Sequence, residues 1–136
     1  MKRKIYLDDV RTPKDPDWTV VRNYDEFVKE IRLNGLDDVE VISLDHDLGE
    51  SAIAEYYNNV APNYTLDYNH IKEKTGLHCA KWLVEYHMSN KGFFPTIYTH
   101  SANPIGSANI MGYVNNYLAN IRQPQTCVRV KIPHTV

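Results

Sequence analysis

Apolar residues in this chain gather into short runs, and three of the runs stop on acids or histidines. Ile5-Tyr6-Leu7 ends on Asp8-Asp9, Val41-Ile42-Ser43-Leu44 on Asp45-His46-Asp47, and Thr96-Ile97-Tyr98-Thr99 on His100-Ser101. Runs of this length predict buried strands of a mostly parallel sheet. Such sheets bind ligands beyond the carboxyl ends of their strands, so the three polar clusters are the first candidates for function.

Between these runs the pattern changes period. Lys4 to Leu7 predicts a first strand, and Val10 to Asp17 a loop, because Pro13 and Pro16 block a helix. Trp18 to Arg22 reads as a second strand. Asn23 or Asp25 then caps a helix with Phe27, Val28, Ile31 and Leu33 at helical spacing, and Gly35 stops it. Val39 to Leu44 is a third strand, favoured by its β-branched residues. Glu50 to Lys74, rich in Tyr and Asn and broken by Pro62, has no clear period and reads as an insertion or flap. Thr75 caps a helix that turns Leu77, Ala80, Trp82, Leu83 and Tyr86 to the core and ends at Asn90-Lys91-Gly92. Phe94 to Thr99 is a fourth strand, and Asn103-Pro104 starts a helix carrying Ile110, Met111, Val114, Tyr117, Leu118 and Ile121 on one face. Val128 to Ile132 predicts the last strand.

This order of elements predicts one three-layer α/β domain over residues 1–136. The flavodoxin-like sheet order 2-1-3-4-5 would set the first, third and fourth strands side by side and bring the polar clusters together. A net charge of −2 argues against a duplex-DNA binder with a broad basic face, though not against a local phosphate pocket. No apolar stretch has the length of a signal peptide or membrane span, which sets the expectation of a cytoplasmic protein with no membrane partner. Cys79 and Cys127 lie in apolar segments without ligand spacing and read as reduced core residues. The 10 Tyr are a surplus that favours a stacking or hydrogen-bonding surface.

Asp8-Asp9 and Asp45 resemble the acidic pocket of response-regulator receiver domains, where carboxylates bind Mg²⁺ beside a phosphoacceptor Asp. The wider set Leu7-Asp8-Asp9-Val10-Arg11-Thr12-Pro13, Ser43-Leu44-Asp45-His46-Asp47-Leu48-Gly49, Thr75-Gly76 and His100-Ser101-Ala102-Asn103-Pro104 resembles the cyclic-phosphate-processing receiver-like family. That resemblance implies action on a cyclic-phosphate RNA end or a cyclic nucleotide. It covers nearly all of the chain outside Ser51 to Lys72. Against true receivers, the first helix is replaced by the proline loop, His100 precedes the hydroxyl residue, Ile132 separates Lys131 from Pro133, and the final helix is missing.

The clusters suit that chemistry. Carboxylates crowded at strand ends repel one another unless they share a proton or a cation, and hard oxygen ligands suit Mg²⁺ or Mn²⁺, making Asp8, Asp9 and Asp45 the metal candidates. Asp8 or Asp9 could equally cap the loop, and Asp47 reads as a turn residue. Together with Asp45, His46 and His100 are the catalytic candidates: one imidazole would activate water and the other protonate the departing ribose oxygen, each worth about 10²–10⁴ in rate. His70, His78, His87 and His134 read as structural. Ser101 and the Asn103 helix start suggest an anion site, to which Arg11 and Lys131 could contribute, although Arg11 could instead clamp an aspartate. Tyr56, Tyr57, Tyr64 and Tyr68 in the flap either stack bases, at about 1–3 kcal/mol each, or pack the loop. The expectation is a cyclic phosphodiesterase. The alternative is a non-catalytic receiver-like signalling or nucleotide-binding module.

Overall fold

A computed structural model describes residues 2–135. Five parallel strands lie in the order β2-β1-β3-β4-β5, with β1 at Arg3–Leu7, β2 at Trp18–Val21, β3 at Val39–Leu44, β4 at Thr96–Thr99 and β5 at Val128–Arg129. The expected strand order is the observed one. Two strands are shorter than expected: β4 begins after Pro95, which cannot donate to a ladder, and β5 pairs only through Val128 and Arg129.

Helix α1 (Tyr24–Asn34) is capped by Asn23, whose side chain accepts from the Glu26 amide, and it ends at Gly35 with φ of 76°. It buries Phe27 and Ile31, while Leu33 points outward. Residues 50–63 are helical rather than irregular, running through α2 (Glu50–Glu55), a wide π turn (Tyr56–Val60) and α3 (Ala61–Asn63). The buried Glu55 carboxylate gathers this segment by accepting from Asn59 Nδ2, the Asp67 amide and His70 Nδ1. Helix α4 (Gly76–Asn90) starts on a capping box between Thr75 and His78, and α5 (Pro104–Asn120) starts on Asn103.

A right-handed crossover puts every helix that carries the chain from β2 toward β5 on the same side of the sheet. The core shows this: Ile5, Leu7, Ile42, Leu44 and Ile97 pack with Phe27 and Ile31 of α1, Leu83 of α4 and Ile110 and Val114 of α5. The opposite side, where a three-layer arrangement would set helices, has none among the described residues. It carries the proline loop and residues 130–135 instead. These two segments are tied by Lys14 N to Pro133 O at 2.9 Å, Thr135 N to Thr12 O at 2.7 Å and a bridge between Pro13 and His134.

Helix α4 sits close under β3. A Cβ built on Gly76 would lie 1.9 Å from the Asp45 carbonyl oxygen, whereas one on Gly112 in α5 meets nothing within 4 Å. Gly76→Ala should therefore cost about 2 kcal/mol or more in urea unfolding, and Gly112→Ala should add up to about 1 kcal/mol.

Candidate active site

Strand register builds the site. Leu7, Val21, Leu44 and Thr99 lie in one row across the sheet. The ladder continues one residue beyond them, with Asp8 N donating to Val21 O at 3.1 Å, Asp45 N to Leu7 O at 2.9 Å and His100 N to Leu44 O at 3.0 Å. Side chains alternate along an extended strand. Asp8, Asp45 and His100 thus share a side with Tyr6, Ser43 and Tyr98, the side without helices.

Asp8 is fully buried, and both of its oxygens are filled. Oδ1 accepts from the amides of Val10 (3.0 Å) and Arg11 (2.8 Å), and Oδ2 from Arg11 Nε (2.7 Å) and His100 Nε2 (3.1 Å). Burial alone would push this carboxyl up, but the bonds from His100 and the two amides, with the Arg11 charge, bring it down to about 2. An ionised carboxylate only accepts, so His100 carries its proton on Nε2, and Nδ1 accepts from Ser43 Oγ at 2.7 Å. Tyr6 stacks on the ring at 4.2 Å with planes 8° apart. Burial pushes the His100 pKa down, partly opposed by Asp8, so the imidazole is neutral at pH 7.

Arg11 bridges the acids, holding Asp8 closely and Asp45 Oδ1 at 3.6 Å. Arg22 fixes the loop that carries it, donating to the carbonyls of Arg11 (2.6 Å) and Asp8 (3.2 Å) and to Thr12 Oγ1 (2.7 Å). One guanidinium against several carboxylates leaves the pocket short of positive charge. Burial and the Asp8 charge push Asp45 up to about 7, and Asp9 is raised for the same two reasons.

Two cavities meet at Arg11, Ser101 and Ala102. The larger, about 590 Å³, lies over Tyr6 and His100 and is rimmed by Arg11, Arg129, Lys131 and His134. The smaller, about 200 Å³, is lined by Asp9, Asp45 and Asp47 together with Ile53, Tyr56 and Tyr57. A cationic chamber and an acidic, aromatic one are therefore neighbours with shared walls.

The family model for the cyclic-phosphate processing receiver domain matches residues 3–116. The chain belongs to this family. No curated protein and no solved structure gives a significant match.

Within this cyclic-phosphate processing receiver, the sequence candidates separate into two groups. Asp9, Asp45, Arg11, His100, Ser101 and Lys131 border the two chambers, and Asp8 lies buried behind them, bonded to Arg11 and His100. His46 and Asn103 do not. Alternation sends His46 to the helix side, where it is 0% exposed and both ring nitrogens are used, Nδ1 with Asp47 at 2.7 Å and Nε2 with Tyr68 Oη at 2.9 Å. A Cβ on Gly106 of α5 would lie 2.3 Å from its ring, so the helix is pressed against it. Asn103, also fully buried, caps Gly106 N at 2.9 Å and donates to Asp47 at 3.2 Å, so the start of α5 is already satisfied by protein groups. These positions correct the expectation of His46 beside His100 and of an open anion site at the α5 start.

Two rim residues were missed. Arg129 reaches the carbonyls of Ser101 (3.0 Å) and Ala102 (3.1 Å), and His134, read as structural, stands on the mouth of the larger chamber. Nothing local marks His134, because only the tie between residues 130–135 and the proline loop brings it there.

One ligand oxygen from each of Asp8, Asp9 and Asp45 lies within 4.8 Å of the others. The hard oxygen donors and missing positive charge fit a divalent cation, but only Asp9 and Asp45 have oxygens to spare. An acid whose pKa rises on folding loses stability as pH climbs from its unfolded value toward the folded one. With a chelator present, wild-type stability should fall relative to Asp45→Asn between pH 5 and pH 8. Urea unfolding at the two pH values should show a relative change on the order of 2–3 kcal/mol.

Proposed function

We propose that this protein hydrolyses a cyclic phosphate on an RNA end or a nucleotide. The observation that carries the reading is the larger chamber, in which His100, backed by the Asp8 anion, stands beside Arg11, Arg129, Lys131 and His134. A cyclic phosphodiester is a monoanion, and charge accumulates on its oxygens as water adds. Fixed cations in a partly enclosed space favour that transition state more than the ground state.

The acid is His100. With a phosphate anion in the chamber and Asp8 behind it, the ring takes a proton from solvent at Nδ1, which leaves Ser43 Oγ. That proton then passes to the departing ribose oxygen as the P–O bond breaks, while Nε2 stays bonded to Asp8 and the ring returns to its resting tautomer. The base is His134. Its Nδ1 contacts Ile132 O at 3.4 Å, leaving Nε2 to accept a proton from the attacking water as the new O–P bond forms. The products are a phosphate monoester and a free hydroxyl. Mg²⁺ or Mn²⁺ held by Asp9 and Asp45 would neutralise charge near the phosphate. In that case, added Mg²⁺ raises the melting temperature of the wild type at pH 8 and not that of Asp9→Asn.

Steady-state kinetics on a 2′,3′-cyclic nucleotide test the histidine roles. His100→Ala and His134→Ala should each lower kcat about 10²-fold or more, and the double variant should fall far short of the product of the two losses. His46→Ala should lower the melting temperature while its folded fraction turns over within a few-fold of wild type. Loss of turnover in a fully folded His46 variant, with His134→Ala unaffected, would return the mechanism to the buried histidine.

A further inference from the structure

The proposed hydrolysis accounts for the cationic chamber and leaves the aromatic wall of its neighbour unused. Ile53, Tyr56 and Tyr57 line the smaller chamber, and Tyr57 is 69% exposed with Ile53 at 39%. Aromatic and apolar side chains lining a concave space beside a few polar groups are the usual make-up of a ligand site. The backbone here is also unusual. The helix widens into a π turn that begins at Tyr56, and such turns recur at functional sites. The two rings are set edge to face, 5.3 Å apart at 80°, and Tyr57 is the more exposed of the pair.

The position of this wall limits what it can hold. The two chambers share Arg11, Ser101 and Ala102, so the smaller one is the neighbour of a phosphate held at Arg11. A flat, uncharged, stackable group a few bonds from a phosphate is a nucleobase on its ribose. Asp47 borders the same space. Its Oδ1 serves His46 and Asn103, and its Oδ2 has no protein donor among the described residues, which suits a ribose hydroxyl or a base N–H.

Resting on the cyclic-phosphate reading, we propose that the smaller chamber is a nucleoside subsite, in which the base stacks on Tyr57. The substrate is then a nucleotide end, not a cyclic phosphate on a polyol. Asp47 takes the sugar side, so a free cyclic mononucleotide or the last residue of a strand is the fitting ligand.

Calorimetry with adenosine 3′-monophosphate and with glycerol 2-phosphate tests this without requiring turnover. The nucleotide should bind about tenfold or more tighter than glycerol phosphate. Tyr57→Ala should remove most of that difference, while Tyr64→Ala, at an equally exposed tyrosine outside the chamber, should keep it. Circular dichroism checks that both variants fold. Equal affinities, no binding of either compound, or a Tyr57→Ala variant with undiminished preference would overturn the subsite. The two readings fail separately. Tyr57-dependent nucleotide binding with no turnover of any cyclic phosphate removes the hydrolysis and keeps the subsite, and Tyr57-independent turnover of glycerol 1,2-cyclic phosphate at the nucleotide's rate does the reverse.

Discussion

The site depends on one buried anion. Asp8 lies inside the protein with four donors on its two oxygens: two amides, Arg11 Nε and His100 Nε2. An unpaired carboxylate in that position would take up a proton, and its contacts would change with it. Fully bonded, it stays charged, fixes the His100 tautomer and turns Arg11 along the line toward Asp45. The two amides belong to the loop itself, so folding the turn after β1 and ionising Asp8 are one event. Arg22, from the end of β2, holds the other side of the same loop. The Asp8–Arg11 half of the proposed apparatus is therefore assembled by hydrogen bonds between Asp8 and Arg22 plus one imidazole from the end of β4, and residues 129–134 bring the other half.

Among the described residues no helix covers one side of the sheet, and this gives the apparatus its access. In a doubly wound sheet, helices over both sides bury Tyr6, Ser43 and the residues that follow the same alternation. Here the proline loop and residues 130–135 cover that side and leave a chamber over the His100 ring. The same segments supply Lys131 and His134. What departs from a receiver is thus also what turns an acidic pocket into a cleft with a cationic half.

The strands and their polar ends were legible because buried parallel strands announce themselves as short apolar runs; the order that sets Asp8, Asp45 and His100 side by side came from the flavodoxin-like pattern and not from any one run. Helix starts at Asn23, Thr75 and Asn103 were legible because capping is local chemistry. His46 was misplaced by neglect of an equally local rule: it adjoins Asp45, and adjacent residues on an extended strand cannot face the same way. Residues 50–63 hid their helix because their burial comes from Glu55 and its partners rather than from an apolar stripe. Arg129 was beyond reach because a two-residue strand and bonds to the Ser101 and Ala102 carbonyls place it, and His134 because a contact between the two ends of the described chain brings it in, which no periodicity records.

The central claim is that phosphate belongs in the cationic chamber beside His100 and not on Asp45. A crystal structure grown with Mg²⁺ and beryllofluoride, and a second with a 2′,3′-cyclic nucleotide phosphorothioate, decide it together. The account predicts the nucleotide's phosphorus between Arg11, Arg129 and Lys131, within hydrogen-bond reach of His100, and no beryllofluoride bonded to Asp45. Beryllofluoride attached to the Asp45 carboxylate, with the nucleotide excluded from the chamber, would contradict it and make the protein a phosphate-accepting receiver.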